Sequence, residues 1–395
     1  MAALVWESRR ARGNLGSAGA PPAVCGAALQ TYRPTIAREN IKHIRFHRVP
    51  GEGAVNRRRG ACAPRCLSVS RHFIRFSAHV FVTLLLAVAC AALAATEIEG
   101  VPGQQVFSFE YHAATDFSGL TWAGGGDYFT VSDKVRAIFP MTIALDPASG
   151  KILSASIGTA MPVKTKLADF EGIAFVPDTR RLYVSAETGD GILGFDLRKR
   201  SVIPVAVPRI FSKARNNKSL ESLTYDATVK NFWTANEEAL TCDGPMSARE
   251  HGTVVRLQRF DSQFRPLAQF AYVTEPSFYR THGGGTGVSD LALLPNGELL
   301  VLERVVGVLG LSVKIFRAEL RGATDVSKFA GLQGTAYAPA TKTLIFSRAT
   351  FSNNFEGIAL GPKLEGGWRS LILIADSGGG TMHYLMPLRI RWSEE

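Results

Sequence analysis

Apolar and polar residues alternate along most of this chain in short runs closed by turn residues, and one such run recurs. Its fullest copy is Asp169 to Glu187, DFEGIAFVPDTRRLYVSAE: an acid, a short apolar strand, a polar hairpin, a second strand and another acid. SLESLTYDATVKNFWTANEE surrounds Glu221, GVSDLALLPNGELLVLER surrounds Asp290, and NFEGIALGPKLEGGWRSLILIAD surrounds Glu356. A weaker copy runs from Asp116 to Asp133, and an acid-free one, LQGTAYAPATKTLIFSR, from Leu332 to Arg348. Val, Ile, Phe, Tyr and Leu at period two, bounded by Asp146-Pro-Ala-Ser-Gly150, Pro177-Asp178 and Pro295-Asn-Gly297, predict strands and hairpins. No long amphipathic helix pattern interrupts them.

Self-similarity at this spacing predicts an all-β fold built from repeats, a β-propeller. The copies begin near Gly119, Gly172, Ser222, Asp290, Gly334 and Gly357, at intervals of 53, 50, 68, 44 and 23 residues. Four intervals are long enough for a four-stranded blade and the last is too short. The Gly334 copy is therefore a truncated blade or two strands paired with a neighbour, and five or six blades are both allowed. Extra loop in the 68-residue interval is assigned to Glu238–Gly252 and Glu275–Gly287. A first strand near Val106 to His112 is expected to pair with the last copy, closing the ring and removing the sheet edge.

The first 95 residues read differently. Residues 1–70 are rich in Ala, Gly and Arg without periodicity, a leader that is either disordered or translated from upstream of the true start. Residues 71–95 read as a signal peptide. Arg71 and Arg75 give a positive start, Val80 to Ala95 an apolar run of 16 residues, and Ala92-Leu93-Ala94 a cleavage site. That run is shorter than the roughly 20 residues of a spanning helix. Export to a periplasm or the exterior follows, with no membrane span left after cleavage. Residues 96–395 form the propeller domain.

Charge and cysteines change the picture only once they are located. The 14 Lys or Arg and 3 Asp or Glu before residue 96 carry the whole net charge of +11, and the rest of the chain is neutral. No basic face for nucleic acid is implied. Four of the 5 cysteines also precede residue 96, leaving only Cys242 and therefore no internal disulfide in the repeat region.

The acids carry the candidate chemistry. The start of a blade's first strand and the end of its antiparallel second strand lie at the same end of the blade. Glu171 pairs in this way with Glu187, Glu221 with Glu237, Asp290 with Glu303, Glu356 with Asp376, and Asp116 with Asp133. Closed around an axis, these strand ends would gather carboxylates at one mouth of a central channel. Such crowding requires compensation by a hard cation such as Ca²⁺, by Arg304, Lys218, Arg280 or Lys134, or by raised carboxylate pKa values. Any single acid could equally cap a strand end. The loop Arg280-Thr-His282-Gly-Gly-Gly-Thr-Gly-Val-Ser-Asp290 is either a flexible entry or an anion loop whose glycines admit backbone N–H groups. No G-x-S-x-G elbow and no H-E-x-x-H motif is present, and the histidines after residue 95 are scattered.

FEGIAF, LESLTY, GVSDLALLPNGELLVLER and NFEGIALGP followed by LILIAD together resemble the phytase-like proteins, described as carrying the esterase-like activity of phytase. The resemblance covers about Asp116 to Pro387. It implies an exported β-propeller that hydrolyses phosphoesters with Ca²⁺ held by carboxylates. Two departures stand out: the Gly334 copy lacks acids, and Ala375-Asp-Ser-Gly-Gly-Gly stands where an acid followed by Asp or Asn is expected.

The first functional expectation is therefore Ca²⁺-assisted phosphoester hydrolysis. Glu171, Glu221, Asp290, Glu303 and Glu356 are its catalytic candidates, and Arg280, His282 and Arg304 its phosphate contacts. Glu171, Glu221, Glu237, Asp290, Glu356 and Asp376 are its candidate metal ligands. The ligand would be a small phosphoester or another anion. The competing expectations are a non-catalytic exported propeller that binds a ligand or an envelope partner, and a lactonase-like hydrolase with one central metal.

Overall fold

The computed structural model describes residues 96–189, 191–278, 285–308 and 310–393. The leader and signal-peptide readings, and the Arg280 and His282 assignments, lie outside the described residues. Among the described residues no helix is long and apolar enough to cross a membrane.

Among the described residues the strands form five antiparallel sheets, which are the five blades of the ring. Blade 1 comprises Phe117–Gly124, Asp127–Ser132, Ala137–Leu145 and Ile152–Ile157, and blade 2 comprises Ala168–Val176, Arg181–Thr188, Gly191–Asp196 and Ser201–Val205. Blade 3 comprises Thr224–Asp226, Asn231–Ala235, Val254–Phe260 and Pro266–Val273. Blade 4 comprises Gly287–Leu293, Leu299–Gly307, Gly310–Glu319 and Thr341–Phe351. Blade 5 takes Asn354–Lys363, Arg369–Asp376 and Met382–Arg391 from the end of the chain. Its outer edge is completed by Glu97–Gly100 and Phe107–Glu110, which both pair with Met382–Arg391. The expected ring closure is thus present, with the strand near Val106 joined by an additional one before it.

The acid-free Gly334 copy is not a blade. Leu332 is buried with Val326 and Ala271 on the outside of blade 3, and the Ala340 N–H donates to the Ala271 carbonyl (2.8 Å). The following Thr341–Phe351 is the outer strand of blade 4. Its apolar pattern satisfies the outer face of an existing sheet, which explains why the 23-residue interval could not hold four strands.

The core consists of slabs between adjacent blades. Leu302, Ile315, Leu373 and Leu388 fill the space between blades 4 and 5, and Phe117, Phe139, Ile372 and Leu385 that between blades 5 and 1. Equivalent slabs separate the remaining pairs. Each blade thus buries both faces, which favours the apolar β-branched and aromatic residues that the repeat supplies.

The glycine of the repeated phrase has a steric cause. The five first strands surround the axis and approach one another backbone to backbone. A Cβ at Gly172 would lie 2.2 Å from Leu223 N, and one at Gly357 would lie 2.2 Å from the Ser118 carbonyl oxygen. Neither neighbour can rotate away, since both atoms are backbone. Gly172→Ala is therefore expected to destabilise the ring by about 2–3 kcal/mol, read as a lowered denaturation midpoint with an unchanged denaturant slope. An unaltered midpoint would contradict this packing account.

Candidate functional site

Strand register aligns the five blades residue by residue. Phe117 faces Ser132, Phe170 faces Ala186, Leu220 faces Asn236, Val288 faces Glu303 and Phe355 faces Ala375. The next residue on each first strand is then Ser118, Glu171, Glu221, Ser289 or Glu356. The next on each second strand is Asp133, Glu187, Glu237, Arg304 or Asp376. All five of this second set, together with Glu171, Glu221 and Glu356, line one cavity of about 340 Å³. Lys218, Asn217, Asn354, Val306 and Leu311 complete its wall.

Blade 4 breaks the expected pairing. Asp290 and Glu303 each stand one position out of frame with the acids of the other blades, and in a strand one position reverses the side chain's face. Asp290 occupies the place held by Gly172 and Gly357. Its carboxylate is buried between first strands and accepts from Leu291 N (2.8 Å) and Ile358 N (2.9 Å). Burial pushes it well above the usual carboxylate range, against those backbone donors. Glu303 is buried against blade 3, accepting from Tyr272 Oη (2.6 Å), Lys342 Nζ (2.7 Å) and Glu275 N (2.8 Å). The structure therefore places both outside the cavity. Arg304, the next residue along, is the one that enters it.

Arg304 divides the cavity electrostatically. Its guanidinium donates to Glu237 and, at 3.2 Å, to Glu356 Oε1. Lys218 Nζ reaches Glu237 Oε2 at 2.5 Å. Burial opposes both charges, yet the surrounding carboxylates win and both groups are raised, Lys218 chiefly by Glu237 and Arg304 by Glu237 and Glu356. Glu237 is thus paired with both cations, and Glu356 shares Arg304 with it. Asp376 lies beside Asp116, and the two are hydrogen-bonded. Burial and the Asp116 contact lift Asp376 to about 6. Asp116 sits lower than usual despite burial, held there by Asp376, Gly379 N and Ser377.

On the opposite side compensation is only partial, with Lys218 acting through space on Glu187 and Glu221. Glu171, Glu187 and Glu221 are all buried and can each offer an oxygen within 4.8 Å of the others. Ser219 N donates to Glu187 Oε1 (3.0 Å). Glu221 Oε2 is buried without a hydrogen-bond partner. Burial first, and then neighbouring glutamates, push Glu171 and Glu221 far up and Glu187 to about 7. Glu356 stands at about 8, raised by burial and restrained by Arg304.

A comparison with protein families matches residues 113–378 to the phytase-like family, described as esterase-like activity of phytase. The chain belongs to that family. A comparison with curated proteins returns no match. Among solved structures, the phytase-like chain is similar to hydrazine synthase from Kuenenia stuttgartiensis, at 14% identity and a TM-score of 0.34. That likeness covers 72% of this chain and 66% of the other, so the chain spans just under two thirds of that protein. It is also similar to a luciferin-regenerating enzyme, at 12% identity over 75% of this chain and 95% of that one, with a TM-score of 0.32. The propeller assignment itself rests on the strand pairing described above.

Of the residues expected from sequence in this phytase-like propeller, the cavity gathers Glu171, Glu221, Glu237, Arg304, Glu356 and Asp376. Asn217, Asn354, Val306 and Leu311 join them with no sequence signal beyond adjacency to the repeat. Asp133 and Glu187 were legible as strand-end acids.

Proposed function

We propose that this protein is a divalent-cation-dependent ester hydrolase acting on phosphate esters, with Glu171, Glu187 and Glu221 as the cation's protein ligands. The observation that carries this reading is the close glutamate trio, above all the buried Glu221 Oε2, which has no hydrogen-bond partner. The donor set fits Ca²⁺: three carboxylates supply only oxygen, and Ca²⁺ takes six to eight oxygens from carboxylates and water. Asp290 and Glu303 do not belong to this ligand set, because backbone N–H groups and Lys342 already hold them. When bound, such a cation would polarise the ester oxygen and acidify a water molecule.

The chain's own groups supply the rest. Arg304, fixed by Glu237 and Glu356, presents a positive edge to a developing oxyanion. Glu356, at about 8, keeps a proton at neutral pH. Asn354 Nδ2 donates to its Oε1 (2.6 Å), and its Oε2, which is left to carry the proton, lies 3.3 Å from Ser118 Oγ. It is thereby placed to hand that proton to a leaving alkoxide. Export, read from the segment before residue 96, belongs to the same proposal.

Calorimetric titration with Ca²⁺ and Mg²⁺ after EDTA treatment tests the reading. One cation is expected per chain, and Glu221→Gln should weaken it at least about tenfold by removing a ligand charge. Cation-dependent release of phosphate from a panel of esters is expected alongside. No cation uptake would sink the ligand assignment. Uptake without turnover of any ester would select the non-catalytic binding propeller instead.

A further inference from the structure

The charge balance and the one apolar side of the cavity define what can enter it. Asp133, Glu171, Glu187, Glu221, Glu237, Glu356 and Asp376 face a space where Lys218 and Arg304 are the facing cations, and both are engaged by Glu237 or Glu356. Whether these carboxyls are ionised or protonated, they offer a polyanion few cationic partners, since beyond one divalent cation Lys218 and Arg304 are already engaged. Like charges confined at short range in a partly desolvated space repel strongly.

The remaining wall is of another kind. Val306 and Leu311 face one another across the hairpin of blade 4 and line the cavity. The same hairpin continues outward to Val308, which is 60% exposed. Phe351, opposite Leu311 on the outer strand, is 62% exposed. Phe351 also holds a positive φ of 57°, which is unfavourable for a bulky side chain. An apolar lip beside an acidic cavity suits a ligand with one polar end and one apolar end.

We infer that the substrate class of this site is a small ester bearing at most one anionic group and an apolar substituent, seated on Val306 and Leu311, rather than a polyphosphorylated polyol. The inference rests on the hydrolase reading for the word ester, but recognition itself is separable from turnover.

The test is binding of stable phosphonates to the full chain, measured by calorimetry with and without Ca²⁺. Methyl-, butyl- and phenylphosphonate form the series, and inositol hexakissulfate is the polyanionic probe. Affinity is expected to rise about fourfold per buried methylene from methyl to butyl, and phenylphosphonate should bind at least tenfold tighter than the hexasulfate. Leu311→Ser and Val306→Ser should each flatten that rise while leaving Ca²⁺ binding unchanged. A flat series, tighter binding of the hexasulfate, or no phosphonate binding under either condition overturns the inference. Absence of turnover with the affinity series intact overturns only the hydrolase reading, so the two failures are distinguishable.

Discussion

Stripped of divalent cations, the protein will lose thermal stability as the pH rises from about 5 to about 8. The cause is the group of buried carboxyls whose pKa values stand above their unfolded values: Glu171 and Glu221 far above, Glu187 at about 7 and Glu356 at about 8. A raised folded pKa means that the folded state holds more protons than the unfolded state. Stability then falls with rising pH between the two values, and is fully present only below the unfolded one. Moving Glu187 from 4.5 to about 7 corresponds to about 3 kcal/mol for that group. In a domain of this size that lowers the melting temperature by about 5 °C. The groups interact, so their effects will not simply add.

Ca²⁺ should reverse the trend, because a cation favours the ionised carboxylates that the bare cavity penalises. The rise in melting temperature on adding Ca²⁺ is therefore expected to be larger at pH 8 than at pH 5, and cation uptake should release protons near neutral pH. Melting curves in EDTA and in Ca²⁺ across this range check both points. A melting temperature in EDTA that is level from pH 5 to 8 would show that the glutamates are not protonated in the folded protein.

The second large effect lies away from the cavity. Arg256 and Asp243 are fully enclosed and form a two-pronged ion pair, Nε to Oδ2 at 2.7 Å and Nη2 to Oδ1 at 2.8 Å. Gln269 and the carbonyls of Val326 and Phe329 take the remaining guanidinium protons. The Leu332 N–H adds a further bond to Asp243. This network ties two long connections, the 236–253 loop and the 320–340 crossing, to the third strand of blade 3. Removing one partner leaves an uncompensated buried charge. Asp243→Ala is expected to cost about 3–5 kcal/mol, and the paired replacement Arg256→Met with Asp243→Leu much less. Thermal melts of the single and double variants test this. A double variant as unstable as the single one would mean that packing, not the unpaired charge, dominates.

Legibility followed the period of the chain. The repeated phrase, the all-β class and the ring closure were readable because each blade must bury two faces and repeats the same solution. Glu171, Glu187, Glu221, Glu237, Glu356 and Asp376 were readable because they sit at the same point of that repeat. Asp290 and Glu303 looked equivalent at the resolution of a phrase, but equivalence on a strand is decided residue by residue. GVSDL aligns its Ser289, not its Asp290, with Glu171. Only the pairing of Val288 with Glu303 fixes that frame. The count of blades was open for a related reason: an outer strand and a first strand share the same apolar alternation, and only the partners of Thr341–Phe351 distinguish them.

The sequence by itself determined that the domain is built from repeated antiparallel units whose strand-end acids share one end. Alternation and turn chemistry are local properties that each copy carries complete. The tertiary structure decided which acids are paired directly with a cation and which are not. Arg304 meets Glu237 and Glu356 across 67 and 52 residues of chain, while Glu171, Glu187 and Glu221 meet one another with only Lys218 acting on them through space. Charge compensation depends on distances that exist only once the ring has closed, and so it is written in no single repeat.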